Sequence, residues 1–563
     1  MRRRERRLMR PGMLFLSRHG FFGVAFLAGL ALRVVTMLGF PPAIWYGGDS
    51  ISYLSTALHL YPGTSRESGY GVLLYLLRPF HSFAVVTGVQ HLMGLAIGVM
   101  IYALLRRYGL PGWGATLAAL PVLLDVYQIQ LEQEMLASAT FGFLVMAALT
   151  LVLWWRDKTP AWASAAAAVL LGVGATMWPV GLPLLVLYLA YLIIRKAGWR
   201  ALTGALVAGA LPLAIYVSWF DARYHRVAFN YSDGIFLWSR TMTFADCAVI
   251  KPPAYDDVLC PRQPVAQRPS ASIFIWEPNS PLNALPGPKF SPRNNALALH
   301  FALRAIAAQP GDYVKDVLDD FALSFTWNRP AHPSALMAER SDFAFATNSW
   351  EAAGSAGARV LATEQRAYTG GSLASTRAAA PFASFMRGYQ RVVYVRGTML
   401  AVLLLIGLAA IARSWTGGGL RRRRDWGGPA LFPWVTAFAM LLLPDVTADF
   451  SERYAVPAMP VVCLAAAFAF VSLKRGAAGP ATADGATADG ATADGATADG
   501  ATADGATAGG GPAAGDGPAA GDGIAAGESG VTARATAGTI PAQPVTASSR
   551  THPLDGQTGE RAI

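Results

Sequence analysis

Charge is the scarcest feature of this sequence. Only 14% of its 563 residues are Asp, Glu, Lys or Arg, 53% are hydrophobic, and the mean hydropathy is +0.35. Soluble domains carry about 25% charged residues, so the deficit excludes an ordinary water-soluble protein and points to a chain that crosses a membrane many times. Cysteine is nearly missing too. Three residues exclude a disulfide-dense secreted scaffold and a cysteine-rich zinc module. A single basic face is also lacking. The arginines behind the net charge of +11 stand in short clusters at the ends of apolar runs, as topology determinants do. Nucleic-acid binding needs cations gathered on one accessible surface. The lipid bilayer is therefore an expected partner and nucleic acid is not.

No small-residue cleavage motif follows the first apolar run. "MRRRERRLMRPGMLFLSRHG" is basic like the start of a secretion signal. The run after it, "FFGVAFLAGLALRVVTMLGF", has the 20 residues needed to cross ~30 Å of hydrocarbon. An uncleaved first span over 20–40 is expected. Further apolar windows lie at 83–105, 112–127, 134–155, 161–178, 180–194, 201–219, 396–413, 429–445 and 455–473, so the expectation is about 10 (8–12) transmembrane helices. Arg106-Arg107, Arg156-Asp157-Lys158, Arg195-Lys196, the arginines at 421–424 and Lys474-Arg475 fall at alternate junctions. By the positive-inside rule these ends, and both termini, face the cytoplasm. The expected location is the plasma (inner) cell membrane, multi-pass.

Five segments follow from this. Residues 1–19 form a basic cytoplasmic N-terminus, and 20–219 a seven-helix module that includes an outside loop at 41–82. Residues 220–395 form an extracytoplasmic region, 396–475 the last transmembrane helices, and 476–563 a cytoplasmic tail. The tail carries "ATADG" in tandem and lacks large apolar residues, so disorder is expected there. Region 220–395 holds Cys247 and Cys260. A disulfide between them would close a loop of about 14 residues, worth up to ~3 kcal/mol. The rival is zinc, but no His stands near the pair and two ligands do not close a tetrahedral site. In the same region "NALALHFALRAIAAQPGDYVKDVLDDFALSF" reads as two amphipathic helices broken at Pro310-Gly311. They would lie at the membrane surface or form a hairpin within a small domain.

Polar residues are also unevenly spread, and three clusters share the outside face. The 41–82 loop carries Asp49, Tyr53, His59, Arg66, Glu67, Tyr70 and His81. "DVYQIQLEQEMLAS" carries Asp125, Glu132 and Glu134, and "PDVTADFSERYAVPAMP" carries Asp445, Asp449, Glu452, Arg453 and Tyr454. Ionisable groups at membrane depth are costly and usually line a cavity. Each also has a plainer reading. Asp49 is a solvated turn residue, Glu134 a carboxylate favoured at the start of the next helix, and Arg453 a snorkelling anchor. Within the spans, Arg33 reads as a snorkelling side chain or a partner inside the bundle, and His91 as a satisfied interhelical group.

"GGDSISYLSTA" followed by "RESGYGVLLYLL", then "EQEMLAS" and "ERYAVPAMP", resembles the GT-C superfamily of polytopic glycosyltransferases in motif order and common side. That group includes protein O-mannosyltransferases, aminoarabinose transferases and actinobacterial arabinosyltransferases. The resemblance implies an all-α polytopic membrane protein with an extracytoplasmic domain and active site. It implies transfer of one sugar, mannose or arabinose-like, from a polyprenyl-phosphate donor to a hydroxyl acceptor on a cell-envelope polymer or protein, with inversion. Asp49 would be the general base, with Glu134 as a second catalytic acid. Tyr53, Arg66, Tyr70, Glu132, Arg453 and Tyr454 would bind substrate, the arginines and Tyr454 meeting the developing phosphate charge. Ser50 follows Asp49 where the better-known pattern has a second acid, so the motifs supply no divalent-metal site and leave the cofactor open. The alternative is a transporter or lipid flippase of cell-envelope precursors, although such proteins keep their sites at the bilayer midplane.

Overall fold

The computed structural model describes residues 11–156, 158–343, 356–416 and 428–477. The basic residues before Pro11, the arginines at 421–424 and the repeat-bearing tail lie outside them. The described residues are helical throughout and contain no strand, only one isolated bridge between Ile44 and Glu134.

The N-terminal module contains α1 (Pro11–Gly39), α2 (Gly47–His59), α3 (Gly69–Leu77), α4 (Phe83–Arg107), α5 (Gly112–Leu124), α6 (Val126–Gln133), α7 (Ala137–Leu153), α8 (Ala161–Ala175), α9 (Gly181–Ile194) and α10 (Trp199–Tyr224). Its polar 41–82 segment is thus more than a connecting loop, since it folds into the two helices α2 and α3. The principal helices that follow are α11 (Asp233–Thr241), α12 (Ala271–Trp276), α13 (Pro292–Ala308), α14 (Pro310–Leu323), α15 (Gly397–Thr416), α16 (Leu431–Thr447) and α17 (Met459–Ala477).

Among the described residues, six helices are long and apolar enough to cross a membrane: His19–Gly39, Phe83–Arg107, Trp199–Tyr224, Gly397–Ser414, Gly428–Thr447 and Glu452–Val471. The pair α5 and α6, bent by 48°, makes a seventh if taken as one span, and α7, α8 and α9 are apolar but shorter. Among the described residues, length and composition thus support six or seven spans, and the expected count of about ten is not established by them. Asp125 causes the bend: its carboxylate accepts the backbone N–H of Tyr127 (2.9 Å), Gln128 (3.0 Å) and Val395 (2.6 Å), ending one helix and capping the next. Residues 128–133, expected to connect two spans, are helical and buried for the same reason.

Small residues let these helices approach. A Cβ on Gly172 of α8 would stand 2.5 Å from the Gly209 carbonyl oxygen of α10, so this crossing admits only glycine. On the far face of α10, Val207, Leu211 and Ile215 are exposed, as a lipid-facing surface requires.

Region 220–395 builds its own core from Ile235, Trp238, Met242, Phe274, Phe301 and Ala305. Here α13 and α14 break at Gln309, and Ala298, Phe301, Ala302 and Ala305 turn α13 into that core. Of the two expectations for α13, packing within a domain is the one observed. Cys247 and Cys260 are joined in a disulfide on the same core, and Cys463 is buried in α17.

Candidate active site

Asp49 lies in the first turn of α2, where the helix dipole favours a carboxylate. The turn before it is fixed by backbone pairing: Ile44 N–H donates to Gln133 (2.9 Å) and Met135 N–H donates back to Ile44 (2.9 Å). Ser50, standing where the resembled pattern has an acid, is buried and locks this turn. Its hydroxyl accepts Tyr46 N–H (2.8 Å) and donates to the Met135 carbonyl (3.0 Å).

Two arginines close on Asp49 from distant parts of the chain. Arg453 Nη1 donates to Oδ2 at 2.5 Å, and Arg66 pairs with Oδ1. Burial alone would raise the Asp49 pKa, but the two guanidinium groups outweigh it and hold the carboxyl down at about 2. Aromatic rings orient both cations. The Arg453 guanidinium lies 4.5 Å from the Tyr46 ring centroid and 4.9 Å from that of Tyr454, while Arg66 lies 5.9 Å from Tyr53. Arg453 also donates to the Tyr454 hydroxyl (2.9 Å). Each arginine keeps a buried Nε without a hydrogen-bond partner.

These six residues line a cavity of about 650 Å³, within the size range of small-molecule sites. Leu136, Ala137 and Ser138 at the start of α7, Pro444 and Thr447 at the end of α16, and Ala448 to Ser451 after it also line the cavity. The first and third polar clusters of the sequence thus meet at one place, and the second stretch reaches it only through Leu136, Ala137 and Ser138. Region 220–395, which carried no motif, supplies the rest of the wall through Asp233, Phe236, Ser272, Trp276, Pro333 and Arg340, among others.

Three expected residues fall elsewhere or differ in detail. Glu132 does not line the cavity. It is fully buried among the helices, bound by Arg33 Nε (2.7 Å) and Nη2 (2.8 Å), His91 Nδ1 (2.9 Å) and Gln128 (2.9 Å). Gly94 makes room for it, since a Cβ there would stand 1.7 Å from Oε1. Glu134 does not open the next helix; it ends α6 in extended conformation, 1% exposed and behind the wall, with Gln130 donating to it at 2.5 Å. Burial pushes its carboxyl up to about 8 against the pull of Arg453. Tyr70 also sits behind the wall, edge-on to Tyr53 (5.0 Å), its hydroxyl donating to Gln90, which in turn holds the 132 and 134 carbonyls. Glu452, beside Arg453, pairs with Arg329 at 3.3 Å instead.

Several lining residues carried no expected role. Tyr46, adjacent to the quoted glycines, and Trp178, 5.3 Å from Tyr454, give aromatic surface. Glu67 is 5% exposed, accepts from Asn230 (2.8 Å), and is pushed up by burial to about 7. Its place beside Arg66 was the available signal. Asp233 and Arg340 lay in a stretch without one.

No family model and no curated protein matches this sequence. Among solved structures, the chain is similar to the S. cerevisiae protein O-mannosyltransferase Pmt1-Pmt2 complex bound to the sugar donor (TM-score 0.28, 14% identity, over 39% of this chain and 36% of that one). It is also similar to the oligosaccharyltransferase AglB from Archaeoglobus fulgidus in complex with an inhibitory peptide and a dolichol-phosphate (0.38, 13%, 84% and 53%). A third is ArnT from Cupriavidus metallidurans bound to undecaprenyl phosphate (0.32, 14%, 81% and 78%). The matches span about a third and about half of the first two proteins. All three are GT-C glycosyltransferases, the class the sequence motifs resemble. Likenesses this distant assign no activity, and the functional reading rests on the site.

Proposed function

We propose that this protein is a membrane glycosyltransferase that moves one sugar from a polyprenyl-phosphate donor to a hydroxyl acceptor at the extracytoplasmic face of the plasma (inner) membrane. The observation that carries the reading is the Arg66–Asp49–Arg453 cluster on the wall of a cavity. Two guanidinium groups on one cavity wall make a site for a phosphate, which such groups bind in fork geometry. The aromatic surface of Tyr46, Tyr53, Trp178 and Tyr454 suits a sugar ring.

The same cluster supplies the chemistry. A carboxylate held near 2 is a weak base. When the donor phosphate draws the arginines to itself, the burial of Asp49 is no longer opposed and its proton affinity rises. Asp49 then accepts the proton of the acceptor hydroxyl as that oxygen bonds to the anomeric carbon. The bond from anomeric carbon to phosphate oxygen breaks, and polyprenyl phosphate leaves with the electron pair into the two guanidinium groups. One displacement inverts the anomeric centre. Base strength is thereby tied to donor occupancy, and the empty site does not carry a free carboxylate base.

Sidedness is read from the opposite end of the bundle. Helix α7 begins at the cavity and ends beside Arg107, which donates to the Trp154 carbonyl, and Arg156, stacked 5.3 Å from Tyr108. Basic residues at that end support a cytoplasmic location for it, and thus an extracytoplasmic cavity.

The test is sugar transfer in reconstituted membranes with labelled polyprenyl-phosphate mannose or arabinose and a cell-envelope extract as acceptor. Wild type should transfer one of them, and Asp49→Asn should be slower by at least about 100-fold with its fold retained. Equal transfer by both proteins would remove Asp49 from the reaction. Movement of the donor across the bilayer without transfer would favour a flippase.

A further inference from the structure

The sequence motifs assigned no metal ligands. Beside the cavity, however, three side chains from separate segments converge: Asp320 of α14, His332 of the following loop, and Asp449 between α16 and α17. One ligand atom from each lies within 4.8 Å of the others.

Each residue is held by one atom and presents its other. Arg240 pairs with Asp320 Oδ2, which leaves Oδ1 facing His332 Nε2 at 3.8 Å. His332 Nδ1 donates to the Phe450 carbonyl at 3.0 Å. That bond fixes the ring, places its hydrogen on Nδ1, and leaves the Nε2 lone pair toward Asp320. Asp449 Oδ2 accepts the Ser272 N–H at 2.9 Å, while Oδ1, 3.4 Å from His332 Nδ1, is buried and accepts no hydrogen bond. Asp449 is 3% exposed. Such outer-layer anchoring, one imidazole nitrogen on a backbone carbonyl and each carboxylate held by its second oxygen, is how proteins orient metal ligands.

Two further observations point to a cation. A separation of 3.8 Å is too long for a hydrogen bond between Nε2 and Oδ1, yet only slightly wider than the ~3.4 Å between two ligands each ~2.1 Å from a tetrahedral metal. Nearby, Asp445 is 1% exposed and its Oδ2 also lacks a hydrogen-bond partner. Buried carboxylates in excess of their cations are stabilised by taking up a proton or by a further positive charge, and a bound cation supplies the second.

We infer that Asp320, His332 and Asp449 bind a first-row divalent cation, Zn²⁺ or Mn²⁺, which ties region 220–395 to the last transmembrane hairpin at the rim of the cavity. One imidazole with two carboxylates suits these ions better than Ca²⁺ or Mg²⁺, which prefer all-oxygen sites. Ser272, Pro333, Asp449 and Phe450 line the cavity, so the metal holds the wall that the extracytoplasmic region contributes. The role is structural, and the inference does not depend on the transferase reading.

The test uses the full chain purified in detergent, stripped with chelator, dialysed, and titrated with ZnCl₂ by calorimetry, with thermal unfolding followed in parallel. Wild type should bind one Zn²⁺ per chain and unfold at a higher temperature with it. His332→Ala should bind at least about tenfold more weakly and lose the thermal shift. Asp449→Asn, which keeps the oxygen that accepts from Ser272, gives the same comparison should the histidine variant misfold. A wild type that binds no Zn²⁺, or variants that bind it as tightly as wild type, would overturn the site.

Discussion

Two carboxylates in this molecule are each gripped by two nitrogen-bearing side chains, and they have opposite fates. Glu132 is closed inside the helix bundle with Arg33 and His91, with both partners almost completely buried. Its oxygens take donors from three residues, and Arg33 spends its remaining N–H groups on the Gly29, Leu123 and Val122 carbonyls. Asp49 is gripped by Arg66 and Arg453, but all three keep 14–18% of their side chains exposed to a cavity, and both arginines retain an unused donor. The first cluster is complete and can only hold helices together. The second is incomplete in a way that a phosphate would complete. Ion pairs therefore signal function less by their presence than by the donors they leave over.

The comparison breaks most visibly at Glu132. Replacing it with Gln strands Arg33 in the bundle, a loss of about 3–5 kcal/mol for a buried pair. Glu132→Gln should fail to accumulate as a monodisperse protein on detergent size exclusion, whereas Asp49→Asn should elute like wild type. A stable Glu132→Gln would mean that the bundle pair is dispensable.

Smaller effects sharpen the contrast. Arg66→Lys and Arg453→Lys keep the charge but lose the fork, and each should raise the donor KM about tenfold while changing kcat less. Arg33→Lys should instead lower thermal stability and leave the KM of the surviving protein unaltered. A donor KM indifferent to both cavity arginines would contradict their assignment to the phosphate.

The smallest effect separates the acids of the cavity by pH. The Glu67 carboxyl is raised by burial from its ordinary 4.5 to about 7, so over that window the native state holds more protons than the unfolded chain. Stability should fall as pH rises through it, by on the order of 2 kcal/mol, and level off above. Glu67→Gln should reduce that slope in thermal melts between pH 5 and 8, leaving the part that belongs to Glu134, whose carboxyl is raised in the same way. Asp49 has the opposite sign. Its depressed value makes its ion pairs stabilising above its ordinary range and loses them only as pH falls toward about 2, so Asp49→Asn should leave the slope unchanged.

Much of the bundle was legible because hydropathy runs report length, and length is what a bilayer constrains. The site was legible as far as its ends were marked. Asp49, Tyr53, Arg66, Arg453 and Tyr454 come from two stretches flanking spans, and they meet at the cavity. What failed was direction within a short polar run. Glu132 and Glu134 are two residues apart, and the sequence does not reveal that Asp125 starts a buried helix at Val126. That helix carries Glu132 into the bundle and ends before Glu134. The surroundings of Asp320, His332 and Asp449 were illegible for another reason: these residues come from separate elements, and no spacing rule links them. The same holds for Asp233 and Arg340, which reach the cavity from a region that carried no motif.

The central claim is that Asp49 competes with the donor phosphate for the same two arginines. The most direct measurement is the binding of polyprenyl phosphate, without sugar, to wild type and Asp49→Asn in lipid nanodiscs, followed by the fluorescence of the tryptophans at the cavity. Removing the competing charge should leave binding at least as tight as in wild type while transfer is lost. Binding weakened several-fold in Asp49→Asn would contradict the claim, because the carboxylate would then be helping to hold the lipid rather than yielding to it.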